Sequence, residues 1–483
     1  MPQNPANPDA APRASAQRAP SRAAWVAVLA LAAAFTLVLS QLAWRRYANF
    51  HFTQDGANFN HMLWRTAHGD FLPSYLYGKC HLGDHASLFL IPLAGLYALA
   101  PTMRWLLVLQ ALALGAAAVP FFLIARRLLG RDIPAVAASA AFLLHPGVAS
   151  QAVNQVHEIQ FVLVFFLAAF YCMETRRFGW FALFCALAAT GKETVPLTLA
   201  MLGVYAFVLR RGRRWVIFPL AFSAAWLALT LGVLMPALWG GGYRHVQHFA
   251  GYGASGGEIA STLLTRPGLV WRCVAMPHKA TYLFDLLLPC GLVLPLLGPA
   301  AMLALPDLAV NLLATEPALA VAQWHYSVFI SASLCLAALQ AIQWISRRLP
   351  ARRRAAGIAV LVGLWACATA LSLPVWEGVR DTREPPDAAL RRQVLQQIPA
   401  DAGVLAPQTL VASLVERRLI LTPEQPWADW SKVDFIIVDE ADACYKPKMR
   451  QSVAAALADG GFRLIWRKGS WSIYRRPAAH APR

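Results

Sequence analysis

Residues 86–100, ASLFLIPLAGLYALA, decide how this chain is threaded. The run is apolar enough to enter a bilayer but shorter than the ~20 residues a helix needs to cross one. Other apolar runs lie to either side, at 23–43 and then at 105–125, 133–148, 159–173, 178–190, 194–209, 215–238, 282–298, 299–315, 326–346 and 356–373. Taken as roughly eleven spans, with 86–100 not crossing, they place Arg126/Arg127/Arg131, Arg176/Arg177, Arg210/Arg211/Arg213/Arg214 and Arg347/Arg348/Arg352/Arg353/Arg354 in the cytoplasm, as the positive-inside rule requires. One more crossing would put all four clusters outside. Residues 86–100 are therefore expected to form an interfacial or re-entrant helix within the first outer loop.

Composition agrees with a polytopic membrane protein. The 483 residues are 58% hydrophobic and 14% charged, with mean hydropathy +0.47, whereas soluble domains carry about 25% charged residues. A net charge of +18 fits arginine-rich cytoplasmic loops and anionic lipid as a partner. No basic stripe or aromatic platform accompanies it, which argues against nucleic acid. Residues 1–22, rich in Pro and Ala, read as a disordered cytoplasmic tail ahead of an uncleaved anchor. Of the eight cysteines, Cys172, Cys185, Cys290, Cys335 and Cys367 fall in apolar runs and Cys80, Cys273 and Cys444 outside them. No CxxC spacing is present.

The expected fold is an α-helical membrane domain over 23–373, followed by a small α/β domain over 374–483. In the latter, GVLAP (403–407), LILTP (419–423) and VDFIIVDE (433–440) read as buried strands. Helical patterns occupy 408–418 and 447–459, and FRLIWRKGSWSIYRR closes as a hairpin. Sidedness puts loops 44–104, 149–158, 190–193, 239–281 and 316–325 on the outer, periplasmic face of an inner membrane, together with the C-terminal domain.

That face holds the polar residues able to do chemistry. Asp55, in QDGANF, suits a general base or a cation ligand; a helix cap or turn would use the same residue. HLGDH offers His81, Asp84 and His85, a ligand set suited to a divalent metal, or else a turn capped by Asp84. His157 and Glu158 stand where a span begins, and an ionisable pair there is a candidate site. In ATGKETVPL, Lys192 suits a phosphate headgroup, with neutralisation by Glu193 as the alternative. Arg244, His245, His248, Arg272, His278 and Lys279 decorate loop 239–281, and His325 stands at the next outer entry, in QWHYS.

The order DGANFNHMLWRTAHGDF, HLGDHASLFLIPLAGLYAL, ARRLLGRD, a His-bearing outer loop, GKET, LPDLAVNLLA, HYS and a terminal α/β domain resembles a bacterial family of predicted membrane proteins classed as a domain of unknown function. The resemblance covers residues 45–477. That family is in turn similar to GT-C glycosyltransferases, which carry an acidic catalytic residue in the first external loop and use polyprenyl-phosphate sugars. The resemblance implies Asp55 as that acid and Lys192 as a donor-phosphate contact; His85, His157, Glu158, Glu193 and His325, read from their own placement on the outer face, are further donor-phosphate or substrate-binding candidates. Two departures stand out: Asn60 and His61 occupy positions where the family tends to show Asp and Gln, and Asn154 and Gln155 precede His157 where an Asp is usual. They weigh against a carboxylate-bound metal and favour a metal-independent base.

The function expected is transfer of a sugar from a polyprenyl-phosphate donor to an acceptor at the outer face. A transporter or flippase of a lipid-linked substrate and a non-catalytic scaffold are the alternatives. No internal repeat supports the transporter.

Overall fold

The computed structural model describes residues 19–372, 382–425, 429–442, 447–459 and 461–477. Most of the expected N-terminal tail, Cys444 and the junction near 374 lie outside them. Helix α1 (Arg22–Ala48) starts at Ser21, whose Oγ accepts from Ala24 N at 3.2 Å, an ordinary N-cap. The first loop carries α2 (Gln54–Ala67), a small hairpin of β1 (Pro73–Ser74) and β2 (Lys79–Cys80), and α3 (Leu90–Tyr97). Helices α4 (Met103–Ala116) and α5 (Ala118–Leu129) continue one another as a single apolar span. It packs closely on α1 because Gly115 lacks a Cβ, which would sit 2.9 Å from Ala32 O.

The α3 segment, eight residues long and hence ~12 Å, cannot cross. Leu90, Leu93 and Tyr97 are buried while Ile91, Leu96 and Leu99 are exposed. The segment is thus a short helix with one buried and one exposed face.

The following helices are α6 (Asp132–Leu144), α7 (Pro146–Val153), α8 (Ile159–Glu174), α9 (Phe178–Ala189), α10 (Val195–Val208), α11 (Arg213–Leu229) and α12 (Met235–Trp239). The loop after α12 holds α13 (Gly256–Thr265) and α14 (Pro267–Val274). Then come α15 (Pro277–Leu287), α16 (Leu305–Leu313), α17 (Val328–Arg348) and α18 (Ala351–Ser372). Among the described residues five helices have the length and apolarity to cross a membrane, or six if α6 and α7 form one bent span.

The expected eleven runs are thus helical or near-helical, but two are broken. Pro146 holds His145 out of the α conformation, at ψ 128°, as the residue before a proline is held, and α6 and α7 meet at 55°. The run 282–298 is split after α15 into short 3₁₀ turns at Leu288–Cys290 and Leu294–Leu297. Pro289 and Pro295 donate no backbone bond there, and Gly291 takes the left-handed conformation at φ +79°.

The C-terminal unit is a five-stranded sheet in the order β4-β3-β5-β7-β6, from β3 (Val404–Leu405), β4 (Ile420–Leu421), β5 (Phe435–Asp439), β6 (Arg463–Lys468) and β7 (Trp471–Arg475). Strand β3 runs parallel to β4 and β5, while β5–β7 and β6–β7 are antiparallel. Strand β5 is buried throughout, which explains its unbroken apolar sequence. The pattern 408–418 makes only the turns Gln408–Val411 and Ala412–Leu414, because the next residues leave the helix to meet α2: His61 Nδ1 lies 2.8 Å from Val415 O.

Candidate functional site

Residues of loops far apart in sequence converge at one end of the bundle. Asp55 sits in the first turn of α2, where a carboxylate is favoured by the free N–H groups. It is not the cap. Thr53 holds that position without a side-chain bond, and Gln155 does the capping from the loop before α8. Gln155 Oε1 accepts from Gly56 N at 2.8 Å and Thr53 N at 3.3 Å, and its Nε2 donates to Thr53 Oγ1 at 2.8 Å. Gly56 is required for this approach, since a Cβ there would lie 2.7 Å from Gln155 Oε1 and 2.6 Å from the Phe52 ring.

The rest of α2 is held by the C-terminal unit. Asn60 accepts from Tyr97 Oη at 2.7 Å and donates to Glu416 at 3.2 Å, and Glu416 also accepts from Met103 N at 2.9 Å. His61, brought to about 4 by burial, is a neutral ring bonded to Val415 O. Asn60 and His61, the first of the departures noted in sequence, anchor the helix that presents Asp55.

Asp55 Oδ2 lies 4.0 Å from His157 Nε2, with half of the Asp55 side chain exposed. The walls of the recess still raise its carboxyl above the usual range, with Lys192 pulling the other way and Glu158 adding to the rise. His157 is brought down to about 3 by burial, so it faces Asp55 as a neutral ring. It stacks on His325, with centroids 3.5 Å apart.

The GKET residues diverge. Lys192 Nζ pairs with Glu158 Oε1 at 3.3 Å, not with its neighbour Glu193. Burial opposes charge on Glu158, but Lys192 and His85 hold it down at about 2. Burial also opposes the Lys192 charge, which Glu158 and Glu193 nevertheless keep above the ordinary lysine range. Glu193 accepts from His85 Nδ1 at 3.0 Å, Tyr243 Oη at 3.0 Å and Ala86 N at 3.2 Å. Against the cost of burial, His85 first and then Lys192 depress the Glu193 carboxyl. His85 is raised: burial and Lys192 oppose its charge, and Glu193 outweighs them.

The acidic residue of HLGDH is likewise occupied. Asp84 Oδ1 receives Arg244 at 2.8 Å and lies 3.2 Å from His245 Nε2. Burial works against its charge, but His245 and His85 hold it well below the carboxylate range. The expected ligand set His81, Asp84 and His85 is not the one that converges. The ligand atoms within 4.8 Å of one another belong to Asp84, His85 and His245, and the His85 and His245 rings stack at 4.3 Å. His81 is buried, with neither ring nitrogen hydrogen-bonded.

A cavity of about 290 Å³ opens beside these groups. Its lining combines polar side chains, His85, Lys192, Glu193, Tyr243, His245, Asp307, Asn311 and His325 among them, with the apolar Leu197, Leu227, Leu231 and Val310. Asp55 is outside this lining, across the His157–His325 stack. Tyr243, Arg244 and His245 are contributors that sequence spacing did not single out, although GGGYRHVQHF puts two histidines and an arginine immediately beyond a span.

The sequence matches the family described as predicted membrane protein (DUF2079) over residues 46–472. No curated protein matches it. Among solved structures it is similar to ArnT from Cupriavidus metallidurans bound to undecaprenyl phosphate, at 15% identity and TM-score 0.55, covering 96% of this chain and 100% of that one. The apo form of the same protein gives 14% identity and TM-score 0.56 with the same coverage. The ArnT-like fold agrees with the GT-C-like architecture expected from sequence, and with its match across residues 46–472 the chain belongs to the DUF2079 family of predicted membrane proteins.

Proposed function

We propose that this chain is a glycosyltransferase that moves a sugar from a polyprenyl-phosphate carrier to an acceptor at the membrane face where the outer loops gather. The observation that carries the reading is the contrast in charge pairing among Asp55, Asp84, Glu158 and Glu193. Glu158, Glu193 and Asp84 are each paired with a basic residue, whereas Asp55 faces a neutral imidazole and solvent. A half-exposed carboxylate with a raised pKa is a stronger base than an ordinary aspartate. It is placed to take a proton from an acceptor hydroxyl.

The cavity supplies the complementary half. Its Lys192, His245 and Tyr243 side chains suit a phosphate, and its leucines suit an isoprenyl chain. The ArnT fold and that protein's complex with undecaprenyl phosphate support this assignment. Attack of the acceptor oxygen on the sugar carbon, opposite the departing phosphate, would invert the configuration. Lys192 and His85 would stabilise the charge left on the phosphate. Asp84, His85 and His245 have the donor types for a divalent ion; Arg244 already supplies positive charge to Asp84 Oδ1, and proton transfer to Asp55 needs no ion.

Broken helices such as α6–α7 also suit a carrier of lipid-linked substrates, and one experiment separates the readings. Cells lacking the chain are complemented with wild type or Asp55→Asn and labelled with radioactive sugar. A transferase predicts label accumulating in the lipid-phosphate fraction of the Asp55→Asn strain, with equal protein levels. Identical label distribution in the two strains overturns the proposal.

A further inference from the structure

Helix α16 contributes two polar side chains to the cavity lining, Asp307 and Asn311, that the proton transfer to Asp55 does not use. Spaced four residues apart, they stand on one face of the helix, one turn from each other. We propose that Asp307 and Asn311 are specificity-determining residues that accept hydrogen bonds from hydroxyl groups of the donor sugar. The inference rests on the polyprenyl-phosphate transferase reading above and gives the sugar its place within it.

The hydrogen bonds around Asn311 fix which atom it offers. Ser327 Oγ donates to Val321 O at 3.2 Å, so the Tyr282 hydroxyl, 3.1 Å away, gives its proton to Ser327. Tyr282 Oη then accepts from Asn311 Nδ2 at 2.7 Å, and the second Nδ2 proton goes to Tyr326 O at 3.2 Å. Both amide protons are engaged, and the Oδ1 lone pairs are what Asn311, 2% exposed, has left for a ligand. Asp307 is held in a similar way. Its Oδ2 accepts from the buried Thr198 hydroxyl at 2.9 Å, and a carboxylate has no proton to give. Neither Oδ1 receives a hydrogen bond from the described residues.

A pair of acceptors with no donor selects its ligand. A phosphate would meet only lone pairs there, and an isoprenyl chain would leave both oxygens unsatisfied. A cationic group would be repelled by Lys192, whose Nζ lies 5.9 Å from the centre of the Tyr326 ring, on the residue whose carbonyl fixes Asn311. Sugar hydroxyls are neutral donors and match both oxygens. A site built to bond a hydroxyl also rejects a sugar that lacks it, because the polar atoms of the site are then left unpaired.

The test measures dissociation constants for the full-length chain purified in detergent. The probes are undecaprenyl phosphate, its glucosyl, mannosyl and galactosyl forms, and the same three with every sugar hydroxyl methylated. At least one hexosyl lipid should bind wild type ~10-fold tighter than the bare lipid phosphate, and methylation should abolish the gain. Asp307→Ala and Asn311→Leu should each lose the gain while still binding the bare lipid; if Asn311→Leu fails to fold, Asp307→Ala decides alone. A gain that survives methylation or survives in Asp307→Ala overturns the inference and leaves the transferase reading standing. So does wild type that binds the bare lipid and gains nothing from any hexose. Wild type that binds none of these lipids overturns the inference together with the reading it rests on.

Discussion

Lys192 and Asp55 are separated by a long stretch of chain, yet the Lys192 charge opposes the rise in the Asp55 pKa. Lys192→Met should therefore raise that pKa further and move the acid limb of the pH–rate profile to higher pH. The same change leaves Glu158 buried without its cation, at a cost of ~3–5 kcal/mol. Lys192→Met/Glu158→Gln should recover most of that stability in thermal unfolding. A single variant as stable as wild type would show that the pair is dispensable.

The His85–Glu193 pair makes a signed prediction about pH. The depressed Glu193 carboxyl contributes stability present above its unfolded value, ~4.3, and lost as pH falls towards the folded one. The raised His85 contributes stability present below ~6.5 and lost as pH rises through its folded value. The melting-temperature gap between wild type and Glu193→Gln should be widest in the interval between and narrow on both sides.

At the scale of elements, α2 is defined by what holds its two ends. Gly56→Ala would place a methyl group 2.6 Å from the buried Phe52 ring and 2.7 Å from Gln155 Oε1. Overpacking of this kind costs ~1–3 kcal/mol, and displacement of Asp55 should reduce transfer beyond what the loss of folded protein explains. Lipid-soluble quenchers give a parallel check on α3. Labels at Leu96 and Leu99 should report headgroup depth; a label at bilayer-centre depth would make 86–100 a span and reverse every later loop.

Over the whole molecule, the loops carrying Asp55, Glu158, Lys192 and Tyr243 meet at one end, while Arg126 and Arg211 contact Asp132 and Glu174 in the turns at the other. The C-terminal unit joins the first end through Glu416 and Val415. A periplasm-dependent alkaline phosphatase fused after Arg483 should be active, and one fused within residues 210–214 inactive. Glu416→Ala removes the acceptor shared by Asn60 and Met103. It should cost ~1–3 kcal/mol and weaken transfer without touching the cavity.

Sequence by itself determined the helical membrane class, the short helix in the first loop, the strands of the terminal sheet and the residue types at the site. Those features follow from local apolar length, period and arginine placement, which a chain carries without knowing its neighbours. Only the tertiary structure decided that Lys192 pairs with Glu158 and Glu193 with His85, that Gln155 rather than Asp55 caps α2, and that His245 joins Asp84 and His85 where His81 had been expected. The physical reason is that adjacent residues at the mouth of a span point to different neighbours, and those neighbours come from loops whose approach is set by helix packing. The broken spans lie between the two cases: their prolines and Gly291 are plain in the sequence, while the bend at His145 and the meeting of Cys290 with Cys335 required the folded bundle.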